Sequence, residues 1–92
     1  MSDVSVIDNA AKHRFELHAG GDVAFLNYNL WPNAMELVHT EVPKAMEGRG
    51  IGGKLASAAL ESARARGLKV KATCPFVTSY VKRHPEYADL IG

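Results

Sequence analysis

Cysteine is nearly missing from this chain: Cys74 is the sole thiol in 92 residues. A single thiol closes no internal disulfide, which fits a reducing compartment. An excess of charge is missing as well. Eleven Lys and Arg stand against 10 Asp and Glu, a formal net charge of +1. No global field then steers the chain to nucleic acid or to an anionic membrane. The cations are not interleaved with aromatics as a nucleic-acid surface requires, so no nucleic-acid partner is expected. No apolar run reaches the roughly 20 residues that cross a bilayer. Met1-Ser2-Asp3-Val4 lacks a basic start followed by an apolar stretch, so no secretory leader is expected. The expectation is a cytoplasmic protein with no membrane partner. The histidines and the cysteine show no metal-ligand spacing, and no metal is expected. No Ser/His/Asp set stands where a hydrolase family would place one.

What is present is ordinary for a globular domain, at 47% hydrophobic and 23% charged. The length allows one domain over residues 1–92. A chain this small buries a limited share of its surface, so a homodimer is a fair expectation. There are no repeats, linkers or low-complexity segments.

Periodicity orders the chain. Val4 to Ile7 reads as a short edge strand. In Arg14 to His18 the alternation puts Phe15 and Leu17 on one face. Ala19-Gly20-Gly21-Asp22 reads as a hairpin turn. Val23 to Leu30 is the return strand, with Ala24, Leu26, Tyr28 and Leu30 on one face. Trp31-Pro32-Asn33 makes a second turn, and Met35 to Val42 a third clear strand, ended by Pro43. A helix is expected from about Gly50 to Arg66, with Leu55, Ala56, Ala59, Leu60 and Ala63 as its apolar stripe and Gly67 as its stop. Leu68 to Cys74 is the fourth main strand. Pro75 fits the first position of a second helix, roughly to Arg83, which His84-Pro85 ends. Glu86 to Leu90 reads as a last short turn. The expected fold is α/β (or α+β): a mixed, mainly antiparallel sheet with one strand–helix–strand crossover and a C-terminal helix.

The run Glu47-Gly48-Arg49-Gly50-Ile51-Gly52-Gly53-Lys54 carries four glycines and two cations directly before the alanine-rich helix. Glycine lets a backbone turn sharply and approach a ligand closely. Amides gathered at a helix N-terminus favour an anion. A phosphate-bearing ligand is expected. Three motifs compete for these residues. Gly48 to Lys54 nearly fits a P-loop, but Leu55 replaces the hydroxyl that must hold magnesium. Gly48, Gly50 and Gly53 fit the dinucleotide spacing, but the next strand offers no acid for the ribose. Glu47-x-x-Gly50-x-Gly52 lies one residue from the pyrophosphate loop of acetyl-CoA-dependent acyltransferases, [QR]-x-x-G-x-[GA]. A glycine turn that merely starts a helix is the plain alternative.

Taken together, His39-Thr40-Glu41-Val42-Pro43, the loop Glu47 to Gly52, Thr73-Cys74-Pro75-Phe76, Tyr80 and Arg83-His84-Pro85-Glu86-Tyr87 resemble the minimal, single-domain branch of the GNAT superfamily of N-acetyltransferases. The resemblance covers about Phe15 to Leu90. It implies a loop that holds the pyrophosphate of acetyl-CoA through backbone amides. It also implies a strand, Leu37 to Val42, that pairs with the pantetheine arm. The implied cofactor-binding set is Thr40 and Val42 on the strand, then Gly48, Arg49, Gly50, Ile51, Gly52, Gly53 and Lys54, then Cys74, Phe76, Tyr80 and Arg83. Tyr80 with Lys82 and His84 resembles the family's Y-x-K-x-G-F, whose tyrosine often protonates the departing thiolate. Two departures stand out. Glu47 replaces Gln or Arg, and His84-Pro85 replaces Gly-Phe. The helical segment usual between the first two strands shrinks to something like Asn9-Ala10-Ala11-Lys12, leaving the acceptor side open.

Acetyl transfer to an amine needs a held thioester, a deprotonated amine, a donor to the oxyanion and a proton for the thiolate. His39 and Glu41 share one strand face, and either could take the amine's proton. The alternative is that each only pairs with a neighbouring cation. Cys74 precedes the second helix, where a thiol's pKa falls, and could accept the acetyl group. The alternative, preferred because family members usually transfer directly, is a small buried hydrophobe. Tyr80 follows about one and a half helical turns later. Arg49 and Lys54 could meet phosphates, whereas Lys82 and Arg83 read more readily as a solvated face. His13 and His18 read as ordinary surface or strand residues. The expected activity is acetyl transfer from acetyl-CoA to a small-molecule or peptide amine. An acyl-CoA-binding module without turnover is the alternative.

Overall fold

The computed structural model describes residues 5–92. The strand start at Val4 and the reading of Met1 to Val4 lie outside them. Strands β1 (Val6–Asn9), β2 (Arg14–Ala19), β3 (Asp22–Trp31) and β4 (Ala34–Glu41) are followed by helix α1 (Ile51–Ala65), strand β5 (Lys69–Ala72) and helix α2 (Pro75–Arg83). Three 3-10 turns, Ala10–Lys12, Lys44–Met46 and Pro85–Leu90, complete the chain. The strands lie side by side in the order β1-β2-β3-β4-β5. The first four run antiparallel as a meander, and β5 pairs parallel with β4. Helix α1 is the crossover between them. This is the mixed, mainly antiparallel α/β fold expected. No helix among the described residues is long and apolar enough to cross a membrane.

Local chemistry sets these elements. The β2–β3 hairpin closes on Gly20 and Gly21, both at positive φ, a two-residue turn whose twist matches its strands. The alanine stripe of α1 lies buried as Leu55, Ala56, Ala59, Leu60 and Ala63. Small side chains let the helix sit close on Phe15, Leu17, Leu26, Leu37 and Val70 of the sheet. Gly67 at φ 69° ends the helix. Pro75 opens α2 with Cys74 as its N-cap, and Val77 and Val81 of α2 join the same core.

Leu30 shares the face of Ala24, Leu26 and Tyr28, as expected, opposite the buried Met35, but is itself 46% exposed. Pairing with β2 stops at Asn27, so the far end of β3 outruns its neighbour and the core beneath. One expectation needs correction: the strand expected from Leu68 to Cys74 is shorter, Lys69–Ala72. Beyond it the chain leaves β4 to start α2.

The β3–β4 ladder slips by one residue. Asn27 pairs with His39 but Tyr28 with Leu37, so Val38 is the extra residue of a β-bulge. Side chains alternate along a strand, so the bulge exchanges the faces of β4. Before it, Met35 and Leu37 point into the core. After it Thr40 does, opposite Leu26, while His39 and Glu41 turn to the other face. The buried residues of both helices join one cluster on the inward face. Among the described residues no helix covers the opposite face, which carries Arg14, Glu16, His18, Phe25, Asn29, Glu36, His39 and Glu41.

Candidate functional site

The glycine run forms the entry to α1. Gly48 and Gly50 have φ of 82° and 70°, a left-handed backbone that residues with a Cβ adopt at a cost. Gly50 is the N-cap, and its carbonyl accepts the first helical bond from Lys54 at 3.1 Å. No side chain caps this end, and its first turn holds no acid. The amides of Ile51, Gly52 and Gly53 therefore lack an intrahelical partner. These three residues line a cavity of about 360 Å³ with Val42, Met46, Glu47, Gly48, Gly50, Phe76, Tyr80 and Arg83.

Gly52 and Gly53 have another reason to be glycine. A Cβ on Gly52 would lie 2.8 Å from Cζ of Phe76, and one on Gly53 3.4 Å from the Tyr80 ring. Phe76 and Tyr80, one turn apart on α2, thus wall the cradle. Tyr80 stacks on His84, ring centres 4.1 Å apart. A second cavity of about 650 Å³ shares Gly50, Gly53 and Tyr80 and adds Lys54, Ser57 and Ala58. A third, about 490 Å³, lies at the outer edge of β5 between Thr73, Val81 and Ile91, with Lys82 on its rim. Arg49 is exposed on the loop.

Below the cradle, β4 and β5 part company. Their pairing runs from Ala34↔Lys69 to Leu37↔Ala72 and stops. The carbonyl of Leu37 accepts from both Thr73 N–H (3.1 Å) and Cys74 N–H (2.9 Å), closing the apex of a wedge. From Val38 onward, the edge of β4 turned from β3 has no strand partner among the described residues. The Thr40 hydroxyl lies 3.4 Å from Cys74 Sγ across this gap. Cys74 is buried, 3% exposed. Tyr80 stands about 9 Å farther along α2, at 1.5 Å per residue, beside the glycines rather than beside His39 or Glu41.

On the other side of β4, His39 Nε2 and Glu41 Oε1 are 2.8 Å apart, and both side chains are 58% exposed. A carboxylate only accepts, so Nε2 is the donor in this pair. The two pair with each other rather than with a lysine or arginine. Nearby, Glu36 accepts from Thr73 Oγ1 at 2.8 Å and from Asn29, and these bonds hold its carboxyl below the usual range.

His18 is a half-exposed residue of β2, as expected, and bonds Glu16, the one charged side chain buried among the described residues. The His18, Arg14 and Asn9 bonds lower the Glu16 pKa to about 2, against the burial that would raise it. His13 takes a positive φ of 51° after the 3-10 turn and stacks on Tyr28.

The structure thus gathers Val42, the glycines, Phe76, Tyr80 and Arg83 around one cavity. It sets Thr40 with Cys74 in the wedge and His39 with Glu41 on the open face. The Thr40–Cys74 contact, the bulge at Val38 and the lining by Met46 and Ser57 were invisible in the chain alone. Only strand register brings such residues together, and no local spacing encodes it.

Comparison with known proteins agrees with this geometry. The family model of the GCN5-related N-acetyltransferases matches residues 14–90. Protein NATD1 of Xenopus tropicalis is 36% identical over 87 residues, covering 91% of this chain and 80% of the relative. Protein NATD1 of Homo sapiens is 36% identical over 85 residues, covering 89% of this chain and 75% of the relative. A GCN5-like protein of Staphylococcus aureus, solved by NMR, superposes with a TM-score of 0.74 at 26% identity, covering all of this chain and 91% of that one. An uncapped glycine cradle, a splayed pair of parallel strands and a family match across most of the chain make this protein a member of the GCN5-related N-acetyltransferase family.

Proposed function

We infer that the protein transfers an acetyl group from acetyl-CoA to an amine. One observation carries the reading: the unpartnered amides of Ile51, Gly52 and Gly53 open onto the same cavity as Val42, where the free edge of β4 ends. The residues fit the carrier. Its diphosphate needs several donors and positive potential, which the amides, the helix dipole and Arg83 supply. Lys54 adds a charge in the adjoining cavity. The free edge of β4 offers backbone groups to an amide-bearing arm, as an added strand would use them. Glu47 brings a negative charge to the rim, so its side chain is no phosphate ligand.

When bound, acetyl-CoA supplies the thioester that makes the acetyl carbon electrophilic. The chain's own residues do the rest. The open wedge between Val38 and Cys74 orients the reacting groups. His39, with Glu41 holding its Nε2 proton, takes the amine's proton at Nδ1. Thr40 and Cys74 close the helix side and exclude water. The buried position of Cys74 favours direct transfer over an acetyl-cysteine. Tyr80 walls the diphosphate end.

The test is release of free thiol from acetyl-CoA with a panel of amines and peptides, alongside calorimetric binding. Turnover with micromolar binding supports the reading. A panel that gives only background hydrolysis removes it. The open acceptor side favours a second reading, a CoA-binding module without turnover, which tight binding with no transfer to any amine would support.

A further inference from the structure

We propose, resting on the acetyl-CoA reading above, that Glu61 and Tyr87 are positioning residues for the cradle: their hydrogen bond holds a ring that sets Tyr80 against it. Neither side chain lines the cavity of about 360 Å³, so both act through Tyr80, which does.

Helix α1 carries one row of residues from that cavity toward its far end. Gly53, Ser57, Glu61 and Arg64 recur at helical spacing, so they lie one above another on a single face. Each meets a residue of α2 or of the 3-10 turn Pro85–Leu90 that follows it. Gly53 faces the Tyr80 ring, 3.4 Å from where a Cβ would stand. Ser57 Oγ lies 3.4 Å from Tyr87 Oη, and Tyr87 Oη donates to Glu61 Oε2 at 2.7 Å. Arg64 donates to both carboxylate oxygens of Asp89 at 3.1 Å and to the Glu86 carbonyl at 2.8 Å. The row fastens the turn along the helix.

This fastening reaches the cavity because Tyr80 has no polar anchor of its own. Among the described residues, the tyrosine hydroxyls that make hydrogen bonds are those of Tyr28 and Tyr87. Neighbouring rings therefore orient Tyr80. His84 stacks on it with centres 4.1 Å apart, and Tyr87 tilts toward it with centres 6.3 Å apart. His84 caps the fastened turn and Tyr87 belongs to it. Of the two fasteners, the Arg64–Asp89 pair is open to water, with side chains 42% and 65% exposed, and such pairs hold little. Tyr87 is buried, and its bond to a carboxylate is charge-assisted. Tyr80 is the wall shared by the cavities of about 360 and 650 Å³. A shift of its ring changes the space over Gly53 and the neighbouring amides. A binding group keeps its geometry only when such supporting bonds lock its rotamer.

The test is the calorimetric Kd for acetyl-CoA in the whole chain and in four variants, each confirmed folded by circular dichroism. Glu61→Ala and Tyr87→Phe should each raise Kd by about fivefold or more, a coupling ordinary for residues in contact. Tyr87→Phe keeps the buried ring and removes only the hydroxyl. Glu61→Gln keeps an oxygen that accepts from Tyr87, and should bring Kd back to within about twofold of the native chain. Arg66→Gln cuts the 2.7 Å bond to Asp8 at the other end of α1 and controls for lost stability alone; its Kd should not move. In ligand-free NMR spectra the amide of Gly53, beside the Tyr80 ring, should shift in Glu61→Ala and Tyr87→Phe but not in Arg66→Gln. An unchanged Kd in the first two variants, an equal loss in Arg66→Gln, or no restoration by Glu61→Gln would overturn the proposal. So would a Gly53 amide that stays in place. Native binding that the variants match defeats the positioning role and leaves the cofactor reading intact. A native chain that binds no acetyl-CoA defeats both.

Discussion

Glu16 shows how a single residue can be at once buried, charged and stabilising. It accepts from His18, Arg14 and Asn9 on an otherwise solvated face, which holds its pKa at about 2 against an ordinary 4.5. A carboxyl held below its unfolded value favours the native chain while ionised. Its contribution is therefore full above about pH 4.5 and is lost as pH falls toward 2. That shift corresponds to something on the order of 3 kcal/mol. Urea unfolding at pH 6 and pH 3 should show the loss, and Glu16→Gln should remove most of the difference. On the proposed transferase reading, His39 is the catalytic counterpart. With Nε2 tied to Glu41, His39→Ala should lower kcat by roughly 100-fold or more while acetyl-CoA binding stays put. A change in the calorimetric Kd instead would place His39 in binding. That His39 and Glu41 share a face was legible from their spacing of two on a strand, but not that they pair with each other. The burial of Glu16 was not legible either, because it depends on the neighbouring strands, one of which, β1, brings Asn9 to it.

At the level of elements, the site is made where α1 begins and where β4 and β5 separate. The four glycines of the loop divide by role: Gly48 and Gly50 for the backbone turn, Gly52 and Gly53 for the aromatic rings of α2. Gly50→Val forces a left-handed residue with a branched Cβ, costing on the order of 1–2 kcal/mol in strain. It should weaken acetyl-CoA binding at least tenfold by calorimetry; unchanged binding would put the cradle elsewhere. Gly52→Ala meets a different obstacle, the Phe76 ring at 2.8 Å. Its destabilisation should be about 1–3 kcal/mol and should be largely relieved when Phe76→Leu is added. Additive effects in that double-mutant cycle would mean the ring is not what the new methyl meets. The helix start and its glycine stop were readable from local chemistry. The reason for glycine at two of the four positions was not, because it lies in a helix more than 20 residues away.

For the whole molecule, both helices pack on a single face of one sheet, which puts the glycine cradle on that side and His39 with Glu41 on the other. Ligand binding to the native chain should appear as stability. Acetyl-CoA at 100 times its Kd adds about 2.7 kcal/mol, which raises Tm by roughly 10–20 °C in a domain of this size. No shift at millimolar acetyl-CoA would remove the cofactor assignment. Alternation, hairpin glycines, the alanine stripe and Pro75 were enough to set out five strands and two helices, since each of these signals lies within a few residues of chain; the family came instead from the resemblance of His39 to Gly52 and Cys74 to Tyr87 to known motifs. The exposure of Leu30 at the end of that face was not legible, because a strand cannot report how long its neighbour is. The bulge at Val38 was hidden for a related reason: a ladder slip is a property of two strands. Local periods and glycines thus determined the order of elements and the cradle. The tertiary structure alone decided that Thr40 meets Cys74 while His39 and Glu41 turn away from them, because one unpaired residue in β4 reverses every side chain that follows it.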